Sequence, residues 1–280
     1  LARATVLILL ALPLVWSLLL TVGGVPMTFQ GAAQAVTLEG PVQTIARGPV
    51  ACFMAIKQLG TNGGGYYGVN AAHPFENPSE WTNLANNVAI LLIPMASVWM
   101  FGRVAGCLRH AAVVFAVMLV VYLSLAICAG CTESQPAAAL TDLPVEATGN
   151  LEGKELRFGS GAASLWAVST TATSNGSVNA MHDSLNPLSG LPPLIGMWLN
   201  VAFGGAGVGM INMFLYIVVA VFLAGMMVGR TPEYLARKIE GREMKLALLA
   251  LLAHPLFILG GIAWFAATPW GAATVHNPGS

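Results

Sequence analysis

Long apolar stretches separated by short polar segments dominate this chain. A membrane-spanning helix needs about 20 mostly apolar residues, and five stretches come close to that requirement. They are residues 4–22, 84–101, 111–131, 193–228 and 246–267. The pattern therefore predicts an all-α membrane protein with five spans. The fourth stretch is too long for one straight span and contains a run of glycines, so a break is expected there.

The composition supports a lipid environment. Hydrophobic residues make up 56% of the 280 residues and charged residues only 9%, whereas about 25% of a soluble domain is charged. So few charges cannot keep a surface of this size in water. The net formal charge is zero, so no basic field indicates nucleic acid as a partner.

Two further segments are too short or too polar to span a membrane. They cover residues 42–67 and 159–179, and each begins with a helix-like half and ends in a polar, glycine-containing run. Inside a bilayer, non-helical backbone survives only where protein buries it or water solvates it. Both segments are therefore predicted to be re-entrant pore loops.

The distribution of basic residues predicts the orientation. If both loops enter from outside, eight basic residues lie on the inner side and four on the outer side, as the positive-inside rule requires. The inner residues are Arg3, Arg103, Arg109, Arg230, Arg237, Lys238, Arg242 and Lys245. The outer residues are Arg47, Lys57, Lys154 and Arg157.

The polar linker at residues 132–157 is interpreted as an extracytoplasmic loop in which a short hairpin is one option. Its acidic residues favour a solvent-exposed loop that covers the outer face of the protein, and not a functional site. They are Glu133, Asp142, Glu146, Glu152 and Glu155.

The two re-entrant segments resemble each other, which indicates a duplicated unit. Four polar or proline positions recur at identical spacing, namely Asn70, His73, Asn77 and Pro78 against Asn179, His182, Asn186 and Pro187. The predicted units are residues 1–102 and residues 103–245, each with a span, a loop and a span. Residues 246–280 hold the first span of a further unit. Both chain ends look cut, so a fragment of a longer protein is expected.

The polar runs are suited to holding a monovalent cation. We name residues 61–65 (Thr-Asn-Gly-Gly-Gly) loop A and residues 173–177 (Thr-Ser-Asn-Gly-Ser) loop B. Potassium selectivity arises from backbone carbonyls that replace the hydration shell of the ion. Glycine permits the unusual dihedral angles that this requires, and the candidates are Gly63, Gly64, Gly65 and Gly176.

Other groups in the two loops favour the same interpretation. The half-helices direct their partially negative C-terminal ends at the loops. Thr61 and Thr173 can add hydroxyl oxygens, while Asn62 and Asn175 either brace the loops or add side-chain oxygens. Neither run contains a carboxylate, which argues against a divalent cation.

Three other kinds of site fit these residues less well. Residues 60–68 could form a phosphate loop, but the Lys-Ser/Thr of that motif is missing. His73 with Glu76, and His182 with Asp183, could bind a metal, although residues in such positions more often lock turns. A nucleophilic serine would need a histidine partner that the facing segments do not offer; the candidates are Ser160, Ser164 and Ser177.

The cysteines are interpreted as inert residues of membrane helices. Cys128 and Cys131 form a CxxC pair at the end of an apolar run, without further ligands nearby. Cys52 and Cys107 stand alone.

The glycine run in the fourth stretch has two readings. Gly204, Gly205, Gly207 and Gly209 lie within seven residues of one another, and each costs a helix interior about 1 kcal/mol relative to alanine. Small residues can allow close helix packing. Alternatively, the helix is broken and its loop crosses the pore as a gate.

Three runs resemble the KdpA family, the potassium-binding subunits of bacterial Kdp pumps. Residues 60–78 (GTNGGGYYGVNAAHPFENP) resemble the second filter region of the family, and residues 170–185 (TTATSNGSVNAMHDSL) resemble the third. Residues 229–235 (GRTPEYL) resemble the cytoplasmic stretch after the third repeat. The resemblance extends over nearly the whole chain.

The resemblance implies the fold of the superfamily of potassium transporters, with four span-loop-span repeats around one pseudo-fourfold filter. Only two of the four filter loops are present, so the chain supplies a partial pore. The glycine run is implied to close the pore inward. We predict that Arg230 anchors this gating loop or the partner interface from the cytoplasmic side. The residues implied to line the filter are Asn62, Gly63, Gly64, Ser174, Asn175 and Gly176.

The resemblance also implies the partners and the activity. K⁺ is the transported ion and no organic cofactor is expected. ATP hydrolysis is assigned to a P-type ATPase partner, KdpB, with KdpC and KdpF as accessory subunits in the bacterial inner membrane. This chain would then be non-catalytic. A passive transporter or channel of the Trk or Ktr kind is the alternative, and a membrane enzyme or structural subunit is a third possibility.

Overall fold

A computed structural model describes residues 2–68, 70–136 and 149–275. Within these residues, five helices are long and apolar enough to cross a membrane, which confirms the predicted all-α membrane fold. The first combines a π-helical turn, Thr5–Leu10, with α2, Ala11–Val22, and follows the short α1, Ala2–Ala4. The others are α4 (Glu80–Val104), α5 (Leu108–Glu133), α8 (Val208–Val228) and α9 (Gly241–Ala267).

Three shorter helices accompany the first four spans. They are α3 (Val50–Leu59), α6 (Gly159–Ala172) and α7 (Pro187–Leu199). Helix α3 packs against α2 and α4, and α6 packs against α5 and α7. Each half-helix of 10 or 14 residues is too short to cross a bilayer, since a span needs about 20 residues. The same arrangement thus occurs twice in the chain.

Local sequence explains where several helices begin and end. Ser79 and Thr82 form a reciprocal capping box at the start of α4, and Glu240 with Glu243 does the same for α9. Pro187 occupies the first position of α7, where its missing N–H costs nothing. Helix α7 ends at Asn200, whose φ of 46° lies in the left-handed region.

Apolar side chains of α2, α3 and α4 form the core around the first half-helix. Leu20, Met54 and Ile90 are fully buried there, and Trp166 of α6 joins the same cluster. Since Trp166 comes from the second half-helix, this core connects the two halves of the duplicated arrangement.

An antiparallel hairpin precedes α3 and was not predicted. Strands β1 (Ala33–Val36) and β2 (Val42–Ile45) pair with Ala33 opposite Ile45. The predicted re-entrant segment therefore begins with a strand, and its helical part starts only at Val50. The hairpin residues are mostly exposed, so no buried alternation marked them in the sequence.

The linker after α5 differs from the expected solvated cover. The side chains of Glu133 and Lys154 are completely buried and form an ion pair at 2.7 Å. Asn150 is also buried and donates a hydrogen bond to Glu133 at 2.8 Å. The prediction was wrong for these residues because the linker folds back onto the end of α5. Asp142, Glu146 and the suggested linker hairpin lie outside the described residues.

The chain divides near Met210 into two compact units. In the second, strands β3 (Glu233–Tyr234) and β4 (Arg237–Lys238) form a hairpin, and α10 spans Pro269–Val275. Its apolar cluster contains Val218, Ile239 and Ala247.

Candidate ion-binding site

Loops A and B are in direct contact. The backbone N–H of Gly176 donates to the carbonyl of Asn62 at 3.2 Å. A Cβ atom on Gly63 would lie only 2.0 Å from Oδ1 of Asn175. The contact brings together two segments more than 100 residues apart in the sequence, each of which follows a half-helix.

The two loops leave their half-helices in the same conformation. Thr61 follows α3 by two residues with a φ of 53°, and Ser174 follows α6 by two residues with a φ of 54°. Each donates its N–H to the carbonyl three residues earlier. The backbone thus aligns Thr61 with Ser174, and hence Gly63 with Gly176, whereas the sequence pattern had aligned Thr61 with Thr173.

Different constraints require glycine at different positions of the two loops. Gly63 and Gly64 adopt φ values of 68° and 88°, in the region that side chains with a Cβ disfavour. Gly65 and Gly176 do not lie in that region, so the expectation was wrong for them. Space is the constraint at Gly65, where a Cβ would lie 1.8 Å from the carbonyl oxygen of Asn70.

The carbonyl oxygens of the two loops differ in whether they accept a hydrogen bond. Those of Gly63 and Gly64 accept no hydrogen bond from the described part of the chain. The carbonyl of Gly65 accepts one from the Lys57 ammonium, and that of Asn175 accepts one from the Thr170 hydroxyl at 2.8 Å. Gly63 and Gly64 are therefore better placed to offer oxygens to a cation than Gly65.

Asn175 braces loop B. Its Oδ1 accepts from the N–H of Ser177 at 2.8 Å, and its Nδ2 donates to Oε1 of Gln58 at 3.2 Å. Both ends of the amide are thus occupied, which favours bracing over the option of a side-chain ligand. Asn62, in contrast, is exposed.

A third segment lies against both loops. Residues 200–207, here loop C, separate α7 from α8, so the glycine-rich stretch is a broken helix. The N–H of Ala206 donates to the hydroxyl of Thr61 at 3.0 Å. The hydroxyl of Ser174 donates to Oδ1 of Asn200 at 2.8 Å. A Cβ on Gly205 would lie 3.2 Å from the carbonyl oxygen of Thr173.

Backbone strain marks loop C. Phe203 has a φ of 70° and is almost completely buried. Gly204 follows with a φ of 60°, and a Cβ there would lie 2.1 Å from the Cα of Gly209. Gly209 itself is in the first turn of α8 and packs against the carbonyl of Phe203. The glycines therefore allow the chain to fold tightly where the helix is interrupted.

Glu76 locks the segment that follows loop A. Its buried carboxylate accepts the N–H of Tyr66 at 2.6 Å and that of Tyr67. Burial raises the pKa of Glu76, although these hydrogen bonds and the nearby Lys57 oppose the shift. The two hydrogen bonds to backbone N–H groups support the turn-locking role of Glu76. Among the described residues, no group of three or more His, Cys, Asp and Glu could hold a metal.

The two histidines sit in the equivalent segments. Nδ1 of His73 accepts from the N–H of Phe75 at 3.1 Å, and its ring stacks on Tyr67 at 4.2 Å. Burial lowers the pKa of both His73 and His182. For His73, the nearby Arg157 lowers the pKa further.

Several residues that support the loops were missed by sequence reasoning. Gln58 and Trp166 are fully buried on the half-helices, and Trp166 donates to the carbonyl of Ser177 at 2.9 Å. Arg157 donates to the carbonyl of Asn77 at 3.2 Å and also to that of Ala72. For Gln58, the available signal was a polar side chain on an apolar half-helix directly before its polar loop.

Comparison with known proteins identifies the family. The sequence profile of the KdpA family, described as the potassium-transporting ATPase A subunit, matches residues 1–280. The chain is 51% identical over 285 residues to a protein of Pseudomonas aeruginosa named potassium-transporting ATPase potassium-binding subunit. The alignment covers all of this chain and 50% of that protein.

Other bacteria have similar proteins of the same name. A protein of Rhodospirillum centenum is 47% identical over 281 residues, which cover all of this chain and 49% of that protein. A protein of Caldanaerobacter subterraneus is 46% identical over 278 residues, covering 99% of this chain and 50% of that protein. The chain spans about half the length of the curated relatives it matches. With the profile match over its full length, the chain belongs to the KdpA family.

Proposed function

We propose that this chain binds and selectively conducts K⁺ through a carbonyl-lined filter, as part of the ion-translocating subunit of an ATP-driven uptake pump. The observation that carries the proposal is the meeting of loops A and B at the ends of two equivalent half-helices. The unengaged carbonyls of Gly63 and Gly64 lie at this junction. The relatives named as potassium-binding subunits support the same ion.

The electrostatics favour a monovalent cation. Neither loop carries a carboxylate, whereas sites for divalent cations usually recruit Asp or Glu. The C-terminal ends of α3 and α6 supply partial negative charge instead. Dipoles of this strength suit an ion that must bind and then leave.

The proposed filter comprises loop A and residues 173–176 of loop B. Within it, the carbonyls of Gly63 and Gly64 accept no hydrogen bond from the described residues. In loop B, Gly176 occupies the position equivalent to Gly63, and Ser174 the position equivalent to Thr61. Lys57 and Gln58 hold Gly65 and Asn175 in place. Thr61 and Thr173 complete the lining from the half-helix side. A complete filter needs two further loops, as the family resemblance implies.

Loop C is proposed to gate the pore. Its contacts with Thr61 and Ser174 place it across the ends of both loops. Arg230 is proposed to anchor this gating loop or the partner interface from the cytoplasmic side. If Arg230→Gln leaves assembly and transport unchanged, the residue contributes only to topology.

The proposed partners are the ATPase subunit KdpB and the accessory subunits KdpC and KdpF, in the bacterial inner membrane. This chain would contribute ion binding and no catalytic residue. The second candidate is a passive transporter of the Trk or Ktr kind, which the shared pore-loop architecture also fits. The resemblance of residues 60–78 and 229–235 to KdpA runs favours the pump.

Potassium transport by the complete protein tests this function. The protein is reconstituted in vesicles with and without its ATPase partner, and K⁺ uptake is followed with and without ATP. We expect uptake only with both partner and ATP. Uptake by the protein alone would establish the passive alternative. Absence of K⁺ binding by the purified complex in calorimetry would overturn the proposal.

A further inference from the structure

We propose that Gln58 is a specificity-determining positioning residue that fixes loop B relative to loop A. The inference rests on the proposed potassium function and adds a residue outside both loops. Gln58 lies on α3, next to the last residue of the half-helix that leads into loop A. Its side chain nevertheless binds loop B, which belongs to the other half of the duplicated arrangement.

The contact is short and completely buried. Oε1 of Gln58 accepts a hydrogen bond from the Ser177 hydroxyl at 2.7 Å and another from Nδ2 of Asn175 at 3.2 Å. Gln58 has no exposed surface, and neither does Ser177. Hydrogen bonds shielded from water are stronger electrostatically, and leaving such donors unpaired is costly. This single oxygen thus joins two donors on either side of Gly176.

Each donor is rigidly connected to the backbone of loop B. Oδ1 of Asn175 accepts the N–H of Ser177 at 2.8 Å, which closes a tight turn around Gly176. The carbonyl of Ser177 is held by Trp166 at 2.9 Å and by Thr170. Helix α6 thus supports loop B from its own half, and Gln58 supports it from the other. Since Gly176 also donates to Asn62, the position of Gln58 affects the distance between the loops.

That distance matters for ion choice. A filter discriminates between ions through the number and placement of its oxygens and through its resistance to collapse around a smaller ion. Loss of the acceptor at Gln58 would leave Asn175 and Ser177 free to reorient. The expected consequence is weaker binding and weaker discrimination, with catalytic turnover by the partner retained.

The test compares two substitutions of similar size in the complete protein assembled with its ATPase partner. Gln58→Met removes the acceptor oxygen, whereas Gln58→Glu keeps one. For Gln58→Met we expect KM for K⁺ to rise about tenfold, the fold-change for leaving buried donors unpaired. The maximal rate at saturating K⁺ should stay within about twofold, because the ATPase machinery is untouched. The ratio of K⁺ to Rb⁺ transport should fall, and Gln58→Glu should restore part of it.

A matched control separates positioning from general stability. Tyr122→Phe removes another buried hydrogen bond, between Tyr122 of α5 and Ser169 of α6 at 2.8 Å, and keeps the ring that packs on Phe203 of loop C. In the described part of the chain, the hydrogen bond of Tyr122 is to α6 and not to loop A or loop B. We expect wild-type KM and selectivity for this variant. A double-mutant cycle of Gln58→Met with Ser177→Ala should be non-additive, because both changes break the same hydrogen bond.

Two results would overturn the inference. One is an assembled Gln58→Met complex with wild-type KM and ion selectivity. The other is a proportional loss of rate in both Gln58 variants and in Tyr122→Phe, which would indicate only a folding role. Should Gln58→Met fail to assemble, Ser177→Ala decides, because it removes a donor to the same Gln58 oxygen. Wild-type KM and ion selectivity in that variant would contradict the inference. ATP-dependent K⁺ transport by the wild-type complex is measured alongside. Its absence would contradict the proposed function, whereas the behaviour of the variants bears only on the role of Gln58.

Discussion

At the scale of single residues, positions that look alike in sequence have different structural roles. Gly63 combines a φ of 68° with direct contact to Asn175. Gly176 lies outside the left-handed region, and a Cβ there would be 3.1 Å from the Asn62 carbonyl oxygen. Backbone geometry and available space both constrain Gly63, whereas only moderate crowding constrains Gly176.

This difference predicts unequal effects of adding one methyl group. Gly63→Ala should raise KM for K⁺ by about tenfold or more, because left-handed backbone and steric overlap each cost of order 1 kcal/mol or more. Gly176→Ala should change KM by less than about threefold. Uptake kinetics of both variants in the complete protein provide the measurement. Equal effects would show that Cβ geometry does not determine the behaviour of the loops.

His182 provides a pH prediction. Burial lowers its pKa, although the neighbouring Asp183 opposes the shift. A histidine with a depressed pKa in the folded state favours folding above its unfolded pKa of about 6.5 and loses that contribution as pH falls. The melting temperature should therefore fall on acidification from about pH 7 to 5, and His182→Gln should reduce this fall.

Asp183→Asn serves as the companion variant for this measurement. Without the negative charge, the pKa of His182 should decrease further, so the acid-dependent loss should extend to lower pH. Thermal unfolding of the assembled complex over this pH range gives the comparison. A pH dependence in His182→Gln identical to that of the wild type would refute the assignment.

At the scale of elements, a buried ion pair fixes the linker onto the end of α5. Glu133 accepts from Lys154, Asn150 and the N–H of Asn186, so the carboxylate is well satisfied without water. Lys154 also donates to the carbonyl of Ser184 at 3.3 Å. The pair thus joins three segments around the half-helix that carries loop B.

Breaking one partner should therefore cost more than removing both. Lys154→Met should lower the free energy of unfolding by about 3–5 kcal/mol, because a buried carboxylate loses its counter-charge. The double change Glu133→Gln with Lys154→Met should lower the free energy of unfolding by less. Chemical unfolding in detergent micelles measures both. If the single variant is as stable as the double one, the pair is not energetically coupled.

At the scale of the whole molecule, three loops from distant parts of the sequence converge. Loops A and B meet through Gly176 and Asn62, and loop C contacts both through Ala206 and Asn200. The two half-helices direct their ends at this point. A pathway for an ion through loops A and B would therefore encounter loop C next.

The proposed gating role of loop C predicts passive K⁺ leakage when the hydrogen bond that anchors the loop is lost. Ala206→Pro removes the N–H that donates to Thr61, so the closed position should become less stable. We expect passive K⁺ flux without ATP in vesicles containing the complete complex, several-fold above wild type. Ala206→Ser keeps the N–H, so its passive K⁺ flux should stay at the wild-type level. An Ala206→Pro complex with wild-type passive K⁺ flux and normal ATP-driven uptake would exclude loop C as the barrier to ion passage.

The sequence by itself determined the spans and the two half-helices, whereas for the glycine run of the fourth stretch it left close helix packing and a broken helix as alternatives. These features depend on length and hydropathy in a lipid environment, where every backbone polar group must be satisfied locally. The repeated spacing of Asn, His and Pro also identified loops A and B as equivalent. The sequence could not give their correct alignment, because that depended on the left-handed residues Thr61 and Ser174.

Only the tertiary structure decided which groups support the loops and which remain available to an ion. Gln58 and Lys57 are single polar residues on an apolar half-helix, and nothing local indicates that one reaches loop B and the other Gly65. The burial of Glu133 and Lys154 likewise depended on the linker returning to α5. Hydrogen bonds between distant segments depend on how the chain packs, so short-range patterns in the sequence do not encode them.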